Sequence, residues 1–179
     1  MKWRRRFLVF ALLGCVAAWL GLLWVESSSG DEPYSSIEDG LYVGGSVPKP
    51  PRGTKAVVNL CDREDPYQVD HLLWEPIDGG QAPSIEWLRQ VVEFIDTQRR
   101  KGHTTYVHCL AGMNRSGMVV TAYLMYEHGW TREQALTFAR SKRPQIQPNP
   151  AMMRLLAEWE RTLGNERAKG DRASRRGGR

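Results

Sequence analysis

The sequence predicts an α/β domain: a central sheet of about four to five strands flanked by helices, preceded by one apolar segment. Three observations carry this. Short runs rich in β-branched and aromatic residues alternate with longer segments of helical period. One such run, "TTYVH" (104–108), leads directly into a glycine-containing loop that opens a helix. Residues 7–25, "FLVFALLGCVAAWLGLLWV", hold nineteen uncharged residues in a row.

Taken in order, residues 1–6 form a basic N-terminus with Lys2, Arg4, Arg5 and Arg6. As a helix, 7–25 would span about 28 Å at about 1.5 Å per residue, close to the thickness of a bilayer core. It is read as an uncleaved single-pass transmembrane anchor, because it lacks a small-residue cleavage site. Basic residues precede it and Glu26, Asp31 and Glu32 follow. The positive-inside rule then places the folded domain that follows on the non-cytoplasmic side. "ESSSGDEP" (26–33) reads as a flexible linker.

The folded domain is expected over 34–163. "LYVGG" (41–45), "KAVVNL" (55–60) and "HLLWEPI" (71–77) read as strands stopped by Gly, Asp or Pro. Ser84 can cap a helix running to about Lys101, whose Ile85, Leu88, Val91, Val92 and Ile95 share one face. Another helix should run from about Arg115 to Glu127. "TREQ" is a capping-box pattern, Thr131 with Gln134, opening a helix to about Ser141. "RPQIQPNP" (143–150) is too rich in proline for a helix. A last helix is expected over about 150–163. Residues 164–179, with no apolar residue but two alanines, read as a basic disordered tail.

The 179 residues carry a formal net charge of +5, concentrated at the two ends, so no nucleic-acid partner is expected. The three cysteines, Cys15, Cys61 and Cys109, are odd in number and widely spaced. That pattern fits neither a disulfide framework nor a structural zinc site.

The chemistry concentrates in "VHCLAGMNRSG" (107–117). A loop between a strand and a helix N-terminus collects unpaired N–H groups and the positive end of a helix dipole, which suits a phosphate-sized anion. Gly112 permits a tight turn with Leu110, Ala111, Met113 and Asn114 presenting amides inward. Arg115 can hold two anion oxygens in a bidentate fork. The same field favours the thiolate of Cys109, a nucleophile beneath the bound phosphate. Ser116 can hydrogen-bond that sulfur, and His108 is expected to fix the loop's geometry.

"HCLAGMNRS" resembles the Cys-x5-Arg signature of the protein tyrosine phosphatases, in the form used by the dual-specificity branch. "GLYVGG", "VVNL", "PID" and "RPQIQPNP" extend the resemblance over most of 34–163. The resemblance implies a phosphatase-type fold and a phosphomonoesterase acting through a cysteinyl-phosphate intermediate, with no metal or cofactor. It implies catalytic roles for Cys109, Arg115, Ser116 and, as general acid and then base, Asp78 in "WEPIDGGQAPS". Asp62, Glu64 and Asp65 are read as surface charges. Asn149 is read as structural support behind the loop. Cys61 stands where a branch of the family carries a cysteine able to form a disulfide with the nucleophile, which makes it a possible redox partner of Cys109.

The implied substrate is a phosphoprotein bearing phosphotyrosine or phosphoserine/threonine. The uncharged Leu110, Met113 and Asn114 lean away from polyphosphorylated headgroups. The apolar segment keeps a phospholipid substrate as the alternative, with a phosphate-binding non-catalytic module behind it.

Overall fold

A computed structural model describes residues 33–177. Segments 1–6, 7–25 and most of the linker, and with them the anchor reading, lie outside the described residues. Among the described residues no helix is long and apolar enough to cross a membrane.

Five strands form one mixed sheet: β1 (Tyr34–Glu38), β2 (Leu41–Gly44), β3 (Thr54–Asn59), β4 (His71–Trp74) and β5 (Thr104–His108). Their order is β1-β2-β5-β3-β4. β1 and β2 pair antiparallel, while β2, β5, β3 and β4 run parallel. The four helices are α1 (Ile85–Arg100), α2 (Arg115–His128), α3 (Arg132–Lys142) and α4 (Pro150–Gly177).

β5 lies at the centre because its residues suit burial on both faces. Tyr106 and Val107 are inaccessible to solvent, the pattern of a strand covered on two sides. Val107 joins Leu41, Val43 and Val58 on the face that packs against α1, α2 and α4. Tyr106 joins Val57 and Val47 on the other face, beneath Tyr34, Tyr42, Tyr67 and Val69. α2 is the hub of the helical layer, since every residue from Ser116 to Met125 is buried, as expected for a helix apolar nearly all round. Trp159 of α4 is fully buried against it and donates its indole N–H to the Ala122 carbonyl at 3.0 Å.

Local signals place the helix starts as read. The Ser84 hydroxyl accepts from the Trp87 N–H at 3.1 Å. Thr131 and Gln134 form the reciprocal capping box, with both backbone N–H groups satisfied by the opposite side chain.

Three expectations need correction. β1 went unread: "YSSIE" has one buried apolar residue, Ile37, too few for a periodic signal. The strand expected over 71–77 stops at Trp74. The tail expected to be disordered over 164–179 continues α4 as helix to Gly177. Its first turns are tied back by charge. Arg89 pairs with Glu166 at 2.6 Å, and Arg167 donates to the carbonyls of Gly129 (3.2 Å) and Met125 (3.0 Å), satisfying the end of α2.

Candidate active site

The parallel strands β2, β5 and β3 all end at one edge of the sheet, and the loop from β5 to α2 lies there. The end of β2 supports this loop. The Cys109 N–H donates to the Gly44 carbonyl at 3.3 Å, and the Ser46 N–H to the Leu110 carbonyl at 3.1 Å. Gly112 closes the turn at φ +69°. A Cβ there would sit 2.2 Å from the Gly44 carbonyl carbon, so glycine is required by conformation and by space.

The outer side of the loop is held by Arg143, which is 5% exposed. Its Nε donates to the Gly112 carbonyl at 2.9 Å and one Nη to the Ala111 carbonyl at 3.3 Å. With those carbonyls turned outward, the amides of the same turn face in, forming a nest for an anion. Arg143 is the support that sequence reasoning missed. It was visible only as the first residue of "RPQIQPNP".

Cys109 lies at the centre of this nest. Its Sγ is 3.3 Å from the Ser116 hydroxyl. Burial opposes ionisation of this thiol. The Ser116 hydroxyl and the backbone N–H groups of Ser116, Gly112 and Met113 outweigh burial and hold its pKa below the ordinary thiol value. His108, fully buried, faces Asp65 through Nε2 at 3.1 Å, with Tyr106 stacked on its ring at 5.2 Å. Burial keeps the imidazole pKa below its usual value, against the pull of Asp65. Asp65 is therefore not a surface charge. Its side chain is only 3% exposed, whereas Asp62 and Glu64 are exposed as read.

Arg115 opens α2 and donates to the carbonyls of Leu60 (2.9 Å) and Ile77 (3.1 Å). Asp78 follows Ile77 on the loop after β4. It is exposed, and its carboxylate accepts from the Gly80 N–H. Asn149 stands between the two loops and supports both. Its N–H donates to the Asn114 side-chain oxygen at 2.8 Å and its amide nitrogen to the Gly79 carbonyl at 2.8 Å. Its own side-chain oxygen accepts from the Met152 N–H at 2.9 Å, capping α4 ahead of Pro150.

A cavity of about 680 Å³ opens over Cys109. Leu110, Ala111, Met113, Asn114, Arg115 and Asn149 line it, as does Gly79 beside Asp78. So does Arg140, which the sequence did not single out. Its Nε is fixed to the Ile146 carbonyl at 2.9 Å, giving the wall a second cation. Among the described residues no carboxylate lines this cavity, so its field favours an anion.

Cys61 is buried just beyond β3, and both it and Cys109 are free thiols. Burial pushes the Cys61 thiol up to about 11, with Arg115 opposing and the charges of Cys109 and Asp65 adding. Among the described residues no cluster of His, Cys, Asp or Glu could hold a metal ion.

Comparison with known proteins agrees with this geometry. The family described as dual specificity phosphatase, catalytic domain, matches residues 53–162. Dual specificity protein phosphatase 1 of Arabidopsis thaliana is 30% identical over 142 residues, covering 74% of this chain and 72% of the relative. A protein of the same plant named phosphatidylglycerophosphate phosphatase PTPMT1 is 40% identical over 93 residues, covering 52% of this chain and 28% of its own length. The crystal structure of Tk-PTP in its active form superposes with a TM-score of 0.65 at 31% identity, covering 72% of this chain and 97% of that one. With the family match spanning the strand, loop and helix around Cys109, and a relative 30% identical over most of both chains, this chain is a member of the dual specificity phosphatase family.

Proposed function

We propose that the domain removes phosphate from phosphotyrosine and phosphoserine/threonine in proteins, with Cys109, Arg115, Ser116 and Asp78 as its catalytic residues. The observation that carries this is the Cys109 sulfur facing the Ser116 hydroxyl and three inward amides, with its pKa held low. A phosphoryl group entering the cavity meets that sulfur from below, the loop amides around it and the Arg115 guanidinium at its side.

The thiolate attacks phosphorus, and the S–P bond forms as the bond to the leaving oxygen breaks. That oxygen keeps the bonding pair and takes the proton of the Asp78 carboxyl group. In the second step Asp78, now a carboxylate, takes a proton from water. The water oxygen bonds to phosphorus, the S–P bond breaks and its electron pair returns to Cys109. The Ser116 hydroxyl stabilises the departing thiolate. No step calls for a metal or cofactor.

A second reading, phospholipid headgroups as substrates, is favoured by the relative named for phosphatidylglycerophosphate and by the cavity's rim. Leu110 is 68% exposed beside Arg140, an apolar surface next to a cation. The uncharged segment 7–25 supports placing the domain at a membrane, on the non-cytoplasmic side. In an oxidising compartment, Cys61 would serve as the reversible disulfide partner of Cys109.

Turnover of p-nitrophenyl phosphate, a phosphopeptide panel and phosphatidylglycerophosphate vesicles, with and without reductant, tests these readings. Cys109→Ser should abolish turnover of all of them. Turnover surviving that change would overturn the mechanism. Preference for vesicles over every peptide would select the second reading.

A further inference from the structure

The loop carrying Asp78 is fastened to the phosphate loop by a closed ring of three hydrogen bonds. Asn114 donates through Nδ2 to the Gly79 carbonyl at 2.7 Å. Asn149 donates through its own Nδ2 to that same carbonyl at 2.8 Å. The Asn149 N–H closes the ring on Asn114 Oδ1 at 2.8 Å. Three segments far apart in sequence meet there, and all three residues line the cavity over Cys109.

Two features set Asn114 apart from a helix-capping residue. It holds the N-cap position of α2, where an asparagine side chain ordinarily accepts from an amide of the first turn. Here it makes no such bond. Both ends of its amide are spent on the acid loop and on Asn149. The backbone it holds is permissive by itself, because Gly79 and Gly80 follow Asp78 directly and offer little resistance to rotation. On the other side of Asp78, the Ile77 carbonyl accepts from Arg115, a side chain that must also serve the phosphate. The Gly79 carbonyl is thus a second anchor for the loop, held by side chains other than the Arg115 guanidinium.

We propose that Asn114 is a positioning residue: with Asn149 it latches the Gly79 carbonyl and keeps Asp78 within reach of the leaving oxygen before substrate arrives. The proposal rests on Asp78 as the general acid. Its consequence is selective. A substrate with a poor leaving group needs the proton in the transition state, whereas an activated one needs it far less. Loosening the latch should therefore penalise poor leaving groups. A general change in phosphate binding would slow both classes alike.

The test compares kcat/KM, which reports the steps up to the cysteinyl-phosphate, for phenyl phosphate and for 2,4-dinitrophenyl phosphate in the full chain. Asp78→Asn should lower the phenyl/dinitrophenyl ratio by about a hundredfold. Asn114→Ser should lower it by about tenfold, because the acid remains but its placement is lost. Asn149→Ser, which keeps a hydroxyl to cap α4, should lower it in the same direction. The Asn114→Ser, Asp78→Asn double variant should fall no further in ratio than Asp78→Asn alone. An unchanged ratio in both asparagine variants, with unfolding midpoints intact, overturns the latch. So does a double variant whose ratio falls by the product of the two single effects. If Asp78→Asn itself leaves the ratio unchanged, the acid assignment fails first and the latch falls with it.

Discussion

Cys109 and Cys61 lie in one electrostatic neighbourhood with opposite tendencies, the first pushed down by hydrogen bonds and the second raised to about 11 by burial. Iodoacetate should therefore alkylate Cys109 at pH 6.5 and spare Cys61, as read by peptide mass spectrometry. The Cys109 rate should level off below the free-thiol value of about 8.5. Ser116→Ala removes the side-chain hydroxyl that helps to lower that thiol, so it should move the midpoint of the alkylation profile upward. An unmoved midpoint would leave the backbone amides as the whole cause. At this scale the sequence was most legible where function lies in one short loop. Cys109, Arg115 and Ser116 sit within eight residues, and one strand–loop–helix reading places all three. Asp65 was misjudged, and the partner of Asn149 could not be named, because the contacts lie 43 and 35 residues away. Neither contact leaves a trace in local spacing.

Between elements, two contacts decide how firmly the site is held. Gly112 packs on Gly44, joining the phosphate loop to β2. Gly112→Ala should cost about 3 kcal/mol, through the positive φ and the backbone overlap together, and should remove turnover. Denaturant unfolding and a phosphatase assay check both halves. The second contact is Glu38 of β1, which accepts from Arg99 of α1 and from His128 at the end of α2, each at 2.6 Å. Burial opposes its ionisation, but the two cationic partners prevail and hold its pKa below the ordinary 4.5. A depressed carboxylate stabilises the fold above its unfolded pKa, and that contribution disappears as pH falls through the folded value. Glu38→Gln should thus cost about 1 kcal/mol at pH 7 and progressively less as pH falls below the ordinary carboxylate value. A difference that stayed constant with pH would assign the effect to packing. Elements with a cap or an apolar stripe were readable in advance, as α1, α3 and β3 show. β1 was not, because its place is fixed by pairing with β2 and by the Glu38 clasp, and long-range contacts of that kind write no period into five residues.

For the molecule as a whole, α4 runs past its last buried apolar residue, Leu163, into a stretch with only exposed side chains described. Composition alone gave that stretch no reason to fold, and its reason is tertiary: Glu166 and Arg167 reach α1 and the end of α2. Deleting 165–179 should lower the unfolding midpoint by about 3 °C, corresponding to about 1 kcal/mol, with the sheet signal in circular dichroism unchanged. Loss of the cooperative transition would show that the extension is part of the core. The sheet order holds a further consequence. β5 has a hydrogen-bonded neighbour on each side, whereas β1 and β4 are edges. Amide deuteration should enter from those edges and reach Tyr106 and Val107 last, at the free energy of global opening. Cys109 follows directly on this central strand, the one expected to exchange most slowly. Fraying at β1 can then proceed while the nest stays intact, whereas fraying at β4, which leads into the Asp78 loop, should slow turnover before the whole domain melts.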